Sequence, residues 1–585
     1  MMKRLMAILL SMTLAASMLV SVYGTQAAGA FTPGTFTATV EAHEGPLTVE
    51  VVFTADRIES VTVVEHVEFA SFAIVPFERI PAQIVEYQSL DIDTIAGATI
   101  TSMALLFAVT QIVMEAGGDL TALRARRPRP AANAPVTIET DVVVVGSGIA
   151  GVSAAIEAAY AGADVLVIEK MGLFGGTSAT SQGWIQGANN AVMQANNIED
   201  SIEEFEEFLN IMAWHRADPE MINHIAHLSG NTIDWLIDMG VVFRDTPQYS
   251  FLGYSPSRAV RVLDGRGCEL MIPMVEFAKS LGAEFMMETP GVSLIMDNGA
   301  VIGVNAVDIT GGPVTIYADN VILATGGFQR DNELLHKFMP LHVASGTYIV
   351  GGIVGAAGDG HRWGIEAGAA IVKGYLGINA LAGVPHRGVW ITPSGHRFTD
   401  EGYYYNHART SALLDLGYNY QFTIMDANHL DAALEAALEA GMAFQADTLE
   451  ELAELIDIDP AVLVATIERY NELAELGEDL DHGSVFSYDP DRLVPIVDAP
   501  FFAQISNQFS LIWRTGGGLE IDLYGRVIHE NGGPIPGLFA VGEVATAQYL
   551  PVEYGGSGMA LTTYANMARL AGRVAAGGDF SDLRP

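Results

Sequence analysis

Cysteine is almost missing from this 585-residue chain, where Cys268 stands alone. One thiol allows no disulfide framework. It also allows no CxxCH haem attachment and no cysteine-ligated iron–sulfur cluster. Any electron relay inside the chain must therefore be organic. Basic residues are scarce as well: 29 Lys and Arg face 70 Asp and Glu, for a formal net charge of −41. That field repels a phosphate backbone and argues against nucleic acid as a partner. It says little about a small substrate, because a local site can oppose the global field. Long apolar runs are missing too, except for the first, Leu5 to about Val22. It follows Met1-Met2-Lys3-Arg4 and precedes Thr25-Gln26-Ala27-Ala28. A basic start, an apolar stretch and small residues predict a secretory signal over residues 1–28, with an uncleaved anchor as the alternative. No cysteine near that junction can carry a lipid. The expected location is periplasmic or otherwise extracytoplasmic.

What is present suits several α/β cores. Half the residues are hydrophobic and 61 are glycine. Apolar and polar residues alternate through Phe36–Val40, Leu47–Val52 and Ile58–Val67, which predicts half-buried strands. A helix is expected from about Ser102 to Ala116, ended by Gly117-Gly118. Together these read as a small α+β domain over residues 30–119. The basic, Pro-rich stretch Leu123–Pro135 lacks periodicity and reads as a linker, within residues 120–135. From Val136 onward strands alternate with helices, as in a nucleotide-binding α/β domain. Residues 447–480 are acidic and helical in pattern.

The strongest local motif follows the buried strand Asp141-Val-Val-Val-Val145. It is Gly146-Ser-Gly148-Ile-Ala-Gly151, then a helical run, then Val165–Ile168 ending in Glu169. A lone GxGxxG is weak, but here the strand, the helix and the later acid all stand in place. Gly146 allows the turn, Gly148 lets a pyrophosphate reach the backbone, and Gly151 lets the helix close on the strand. The helix N-terminus offers free N–H groups to the phosphates. Glu169 would hold the ribose hydroxyls.

The continuation decides between dinucleotides. Gly175-Gly176-Thr177-Ser178 follows the ribose acid. A second strand, Val321–Leu323, ends in Ala324-Thr325-Gly326-Gly327-Phe328. A third run, Gly537 to Gly542-Glu543, precedes Gly555-Gly556-Ser557-Gly558, which opens a helix. In this order, over about residues 138–575, the pieces resemble the FAD-binding family of soluble fumarate reductases, urocanate reductases and ketosteroid dehydrogenases. The resemblance implies a Rossmann-like FAD domain in two parts, residues 136–370 and 509–585, interrupted by an α+β cap over 371–508. It implies non-covalent FAD, with Glu543 at the ribityl chain.

A second resemblance lies upstream. Asp93-Thr94-Ile95-Ala96-Gly97-Ala98-Thr99-Ile100-Thr101-Ser102 resembles the flavinylation signature of FMN-binding domains. The resemblance implies FMN joined to Thr99 by a phosphoester bond, and a separate flavin transferase as a partner. Ala96 stands where Ser is common. A helix start capped by Thr99 or Thr101 is the other reading of these residues, and the two are compatible.

At the substrate the pattern departs from the family. Fumarate reductases carry a run resembling G-x-R-F-x-N-E-x-x-x-R-D whose arginine donates the proton. Here the run is Gly395-His396-Arg397-Phe398-Thr399-Asp400-Glu401-Gly402-Tyr403-Tyr404-Tyr405-Asn406, with Tyr405 in the arginine position. Glu553 replaces the arginine expected before Gly555-Gly556, and the late His-containing run reads Trp513-Arg514-Thr515. A dicarboxylate needs two cationic clamps, and Glu553 would repel it. Tyr405 is thus the candidate acid, and Arg387, or Arg514, a candidate grip for one carboxylate. Packing at a domain interface is the plain alternative for the tyrosines, and a surface ion pair for Arg387. The expected reaction is reduction of an activated C=C bond in a small organic substrate, of the urocanate or cinnamate kind or an enone. Electrons would come from an external or membrane donor through FMN and FAD. The reverse, a dehydrogenase, and a non-catalytic electron carrier are the rivals.

Overall fold

The computed structural model describes residues 31–583, apart from 127–128, 130, 248–256, 341–342, 344–347, 351, 374–387, 402–408, 410–411, 414, 483–492, 508–509, 513 and 551–553. The signal expected at the start, Arg387, Tyr405 and Glu553 lie outside the described residues. The chain divides into two compact units, at Pro130/Ala131.

In the first unit β1 (Gly34–Glu41), β2 (Pro46–Phe53) and β3 (Ile58–His66) form an antiparallel sheet in that order. Leu47, Val49, Val51 and Phe53 of the central strand alternate with partly exposed residues and are buried. The helices α1 (Ala70–Tyr87) and α2 (Thr99–Glu115) cover the buried side. Leu105, Ala108, Val109 and Ile112 of α2 recur at helical spacing and carry its core face. The helix begins three residues earlier than the periodicity places it, so Thr99 is its first residue.

In the second unit β4 (Val136–Val145) leads into α3 (Ile149–Tyr160) and β5 (Val165–Ile168). Strand β5 runs parallel to β4 on one side, with Val145 opposite Ile168. On the other side lies β6 (Pro313–Leu323), parallel, with Leu323 opposite Val145. Beyond it β7 (Pro534–Ala540) pairs Ala540 with Leu323. Four strand ends therefore stand level. The segments leaving them, at Gly146, Glu169, Ala324 and Val541, open onto one crevice, the usual ligand position in a parallel sheet. The last long helix, α4 (Met559–Ala575), packs on α3. Glu157 of α3 joins Arg569 and Arg573 of α4 in a buried ion cluster.

A separate antiparallel sheet within this unit runs Val389–Ile391, Tyr420–Met425, Phe501–Asn507, Ala443–Ala446. Its apolar face meets the helices Leu449–Leu455 and Pro460–Leu476 through Ile391, Phe422, Ile424, Leu463 and Ile467. Cys268 opens the helix Cys268–Ser280 and is 3% exposed. Among the described residues no helix is long and apolar enough to cross a membrane.

Candidate active site

The glycines of the fingerprint separate by what surrounds them. A side chain on Gly146, whose φ is +109°, would strike the Ala324 carbonyl oxygen at 2.4 Å. One on Gly151 would sit 1.9 Å from the Gly146 carbonyl oxygen. Both glycines serve the fold itself, at the turn and at the helix–strand contact. Gly148 differs: the nearest atom to an added Cβ is Ser178 Oγ at 3.7 Å. Space also lies beside Gly176, where the nearest atom is 3.8 Å away, and beside Gly326, where nothing lies within 4 Å. These three border the cavity at the strand ends. The packed protein does not itself require Gly148 to be glycine, and the space beside it is open to the cavity. Gly-rich backbone at a helix N-terminus suits a pyrophosphate, and the residues fit a dinucleotide.

Glu169, 7% exposed, lines the same cavity. Its carboxylate accepts bonds from the Ser147 amide at 3.0 Å, the Ser147 hydroxyl at 2.7 Å and the Met171 amide at 2.9 Å. It therefore braces the fingerprint turn, and an ionised carboxylate keeps acceptor sites for a ribose hydroxyl. Thr177 and Ser178 line the cavity, and Ser178 Oγ accepts the Ile149 amide at 3.1 Å. Gly175 packs under Ala179 and Met271, while Gly556 and Ser557 form the turn before α4. Gly151, Gly175, Gly556 and Ser557 do not line the cavity, and Gly151 and Gly175 act through packing.

Glu543 lines the same cavity, next to Val541 and Gly542 just past the end of β7. Its Oε1 accepts from the Thr515 amide at 2.6 Å, the Thr515 hydroxyl at 2.9 Å and Gln329 at 2.8 Å. Burial pushes its pKa up, against the lowering effect of those donors and of Arg514. Beside it stand Arg514, Tyr554 and Tyr564, all lining the cavity. Burial also raises the two phenols. Local sequence pattern singles out neither tyrosine. Tyr554 directly precedes the late glycine run, which was the available signal. Tyr564 had none, since it reaches the site only through the position of α4. Of the run read for a proton donor, the described half is anchored: Arg397 pairs with Glu401 and Asp479, all buried.

In the first unit Thr99 is exposed at the start of α2. The helix follows Ala98 and has no side-chain cap. The capping reading is therefore corrected. Thr101 donates instead to buried Glu68, and Ser102 donates to the Ala98 carbonyl at 2.7 Å while accepting the Ile95 amide at 3.1 Å. The turn is held by its neighbours, and the Thr99 position is open to solvent.

Comparison with known proteins now bears on this geometry. The FAD binding domain family matches residues 141–559. The chain belongs to that family. The FMN-binding domain family matches residues 43–113. A relative of this FAD-binding chain, the urocanate reductase of Eggerthella lenta, is 30% identical over 87% of this chain and 87% of its own. The NADH:acrylate oxidoreductase of Vibrio harveyi is 29% identical over 93% of this chain, which spans 61% of that relative's length. A solved ketosteroid dehydrogenase from Rhodococcus jostii, in complex with 4-androstene-3,17-dione, is 28% identical with a TM-score of 0.65, over 77% of this chain and all of that one.

Proposed function

We propose that this protein is an exported two-flavin reductase of an activated C=C bond in a small organic molecule. The observation that carries the reading is the open space at Gly148 in a cavity that Arg514, Tyr554 and Tyr564 also line. Gly148 and Glu169 would hold the pyrophosphate and ribose of FAD, with Gly146 shaping the turn, and Glu543 would serve its ribityl chain. The chemistry bound FAD supplies is hydride transfer from N5 to one alkene carbon. A phenol gives the proton to the other carbon. Tyr405 is our choice from the register of its run, with Tyr554 the described alternative in the cavity. FMN on exposed Thr99, attached by a flavin transferase, is the relay that the cysteine-poor chain otherwise lacks. Residues 371–508 act as the cap over the substrate, and Arg387 serves a single carboxylate.

The substrate class follows from what the chain has lost. Glu553 in place of a carboxylate-gripping arginine disfavours a dicarboxylate, which leaves an unsaturated monocarboxylate or an enone. The names of the relatives, acrylate and urocanate reductases, agree with the first. The likeness to a ketosteroid dehydrogenase supports the enone and keeps the oxidative direction as a second reading. A screen of alkenes with reduced viologen as donor tests the proposal. Turnover of acrylate-, urocanate- or enone-type compounds with little on fumarate is expected. Oxidation of saturated ketones, with no alkene reduced, would establish the dehydrogenase instead.

A further inference from the structure

Arg514 brings a buried guanidinium to this cavity, at 3% exposure. Two of its nitrogens are fixed: Nε donates to the Tyr564 hydroxyl at 2.9 Å and Nη2 to the Leu550 carbonyl at 3.1 Å. The third, Nη1, is buried without a partner. Glu543 is the carboxylate whose field reaches Arg514, but its Oε1 is taken by Thr515 and Gln329, and the two form no ion pair. Helix α4 adds to the same sign. Ala560 and Leu561 in its first turn line this cavity, and a helix start carries partial positive charge. A buried cation with no ion pair and one nitrogen unpartnered is unfavourable. A substrate that comes and goes would leave that cost standing in every resting molecule, whereas a resident cofactor removes it in all states. The pyrophosphate is drawn to the fingerprint side, so the group left for the Arg514 wall is the flavin ring. At neutral pH, two-electron reduction leaves negative charge on the N1–C2 carbonyl edge of that ring.

We infer that Arg514 Nη1 holds the N1–C2 edge of FAD and sets its reduction potential by stabilising the reduced, anionic ring. The inference rests on the FAD reading above. Charge near N1 is one of the levers by which a protein tunes a flavin. The test uses the full chain in a Thr99→Ala background, so that only FAD reports. FAD content is measured first, then its midpoint potential against reference dyes. Arg514→Gln is expected to keep FAD but to lose at least tenfold in affinity for the reduced over the oxidised form, which is a drop of about 30 mV or more for a two-electron couple. Arg514→Lys keeps the charge and most of the potential. Tyr564→Phe frees the guanidinium and gives a smaller drop, about threefold, and it decides the matter should Arg514→Gln fail to fold. An unchanged potential with FAD bound, in Arg514→Gln or, failing that, in Tyr564→Phe, overturns the inference. An unchanged potential with weakened binding of propionate would reassign the cation to a substrate carboxylate. Absence of FAD from the parent chain would refute the FAD reading itself, a separate result.

Discussion

In the first unit the residue proposed to carry a flavin, Thr99, stands in solvent on a short α+β scaffold. In the second unit Glu169 and Glu543 are 7% and 9% exposed at the ends of a parallel sheet. The contrast follows from how each cofactor would be kept. A covalent tether needs one hydroxyl that a modifying enzyme can reach, on a turn that does not move. Ser102 and Glu68 supply the stiffness without covering the hydroxyl. A non-covalent dinucleotide must be held by many small contacts, so backbone is exposed to it and side chains are withheld. Gly148 is where that withholding is visible.

The sharpest way to break the contrast is at the tether. Thr99→Ala, co-expressed with a flavin transferase, should lose all covalent FMN and keep its FAD. Intact-mass spectrometry reads the first and absorbance after denaturation the second. An FMN-sized adduct persisting in the variant would move the attachment elsewhere. Next comes the pocket. Gly148→Leu should purify without FAD yet melt close to the parent apoprotein, because its side chain enters space that the protein leaves empty. Gly151→Ala should do the opposite, losing about 1–3 kcal/mol or more of stability from a forced backbone shift, since its Cβ would lie 1.9 Å from a carbonyl oxygen. Thermal unfolding of the two apoproteins separates these effects.

Tyr405→Phe should slow alkene reduction roughly 10²-fold with FAD retained, the scale for a lost general acid. Single-turnover reduction with pre-reduced enzyme isolates that step. A collapse in Tyr404→Phe instead would shift the register by one, and three normal rates among Tyr403, Tyr404 and Tyr405 would pass the role to Tyr554. The smallest effect is expected at Glu169→Ala. Losing one hydrogen-bonding acceptor for the ribose costs about 1 kcal/mol, read as a loss of FAD affinity of about fivefold by fluorescence titration.

These variants also mark where sequence was enough. The fingerprint was legible because a close backbone approach to phosphate needs a fixed local spacing of glycines, and the strand and helix around it declare themselves by pattern. Strand positions in the first unit were legible for the same reason: Leu47, Val49 and Val51 alternate as the sheet requires. The start of α2 was not, because its cap was read from Thr99 and Thr101 alone. The hydroxyl of Thr101 is engaged by Glu68, which lies 33 residues earlier. The wall formed by Arg514, Tyr554 and Tyr564 was only half visible, since the bond between Arg514 and Tyr564 spans 50 residues and depends on how α4 lies against the sheet. Contacts of that kind leave no local trace.

The single buried thiol has a practical consequence. Cys268, at 3% exposure, will be slow to meet a maleimide or a nitroxide reagent. A cysteine placed on the surface of each unit would therefore be the only reactive pair in the chain, with no native background to remove. Exposed Glu115 at the end of α2 and exposed Glu439, shortly before the strand Ala443–Ala446, offer such positions. Pulsed dipolar spectroscopy on that pair would follow the separation of the units as the flavins are reduced and as substrate is added, using otherwise native protein.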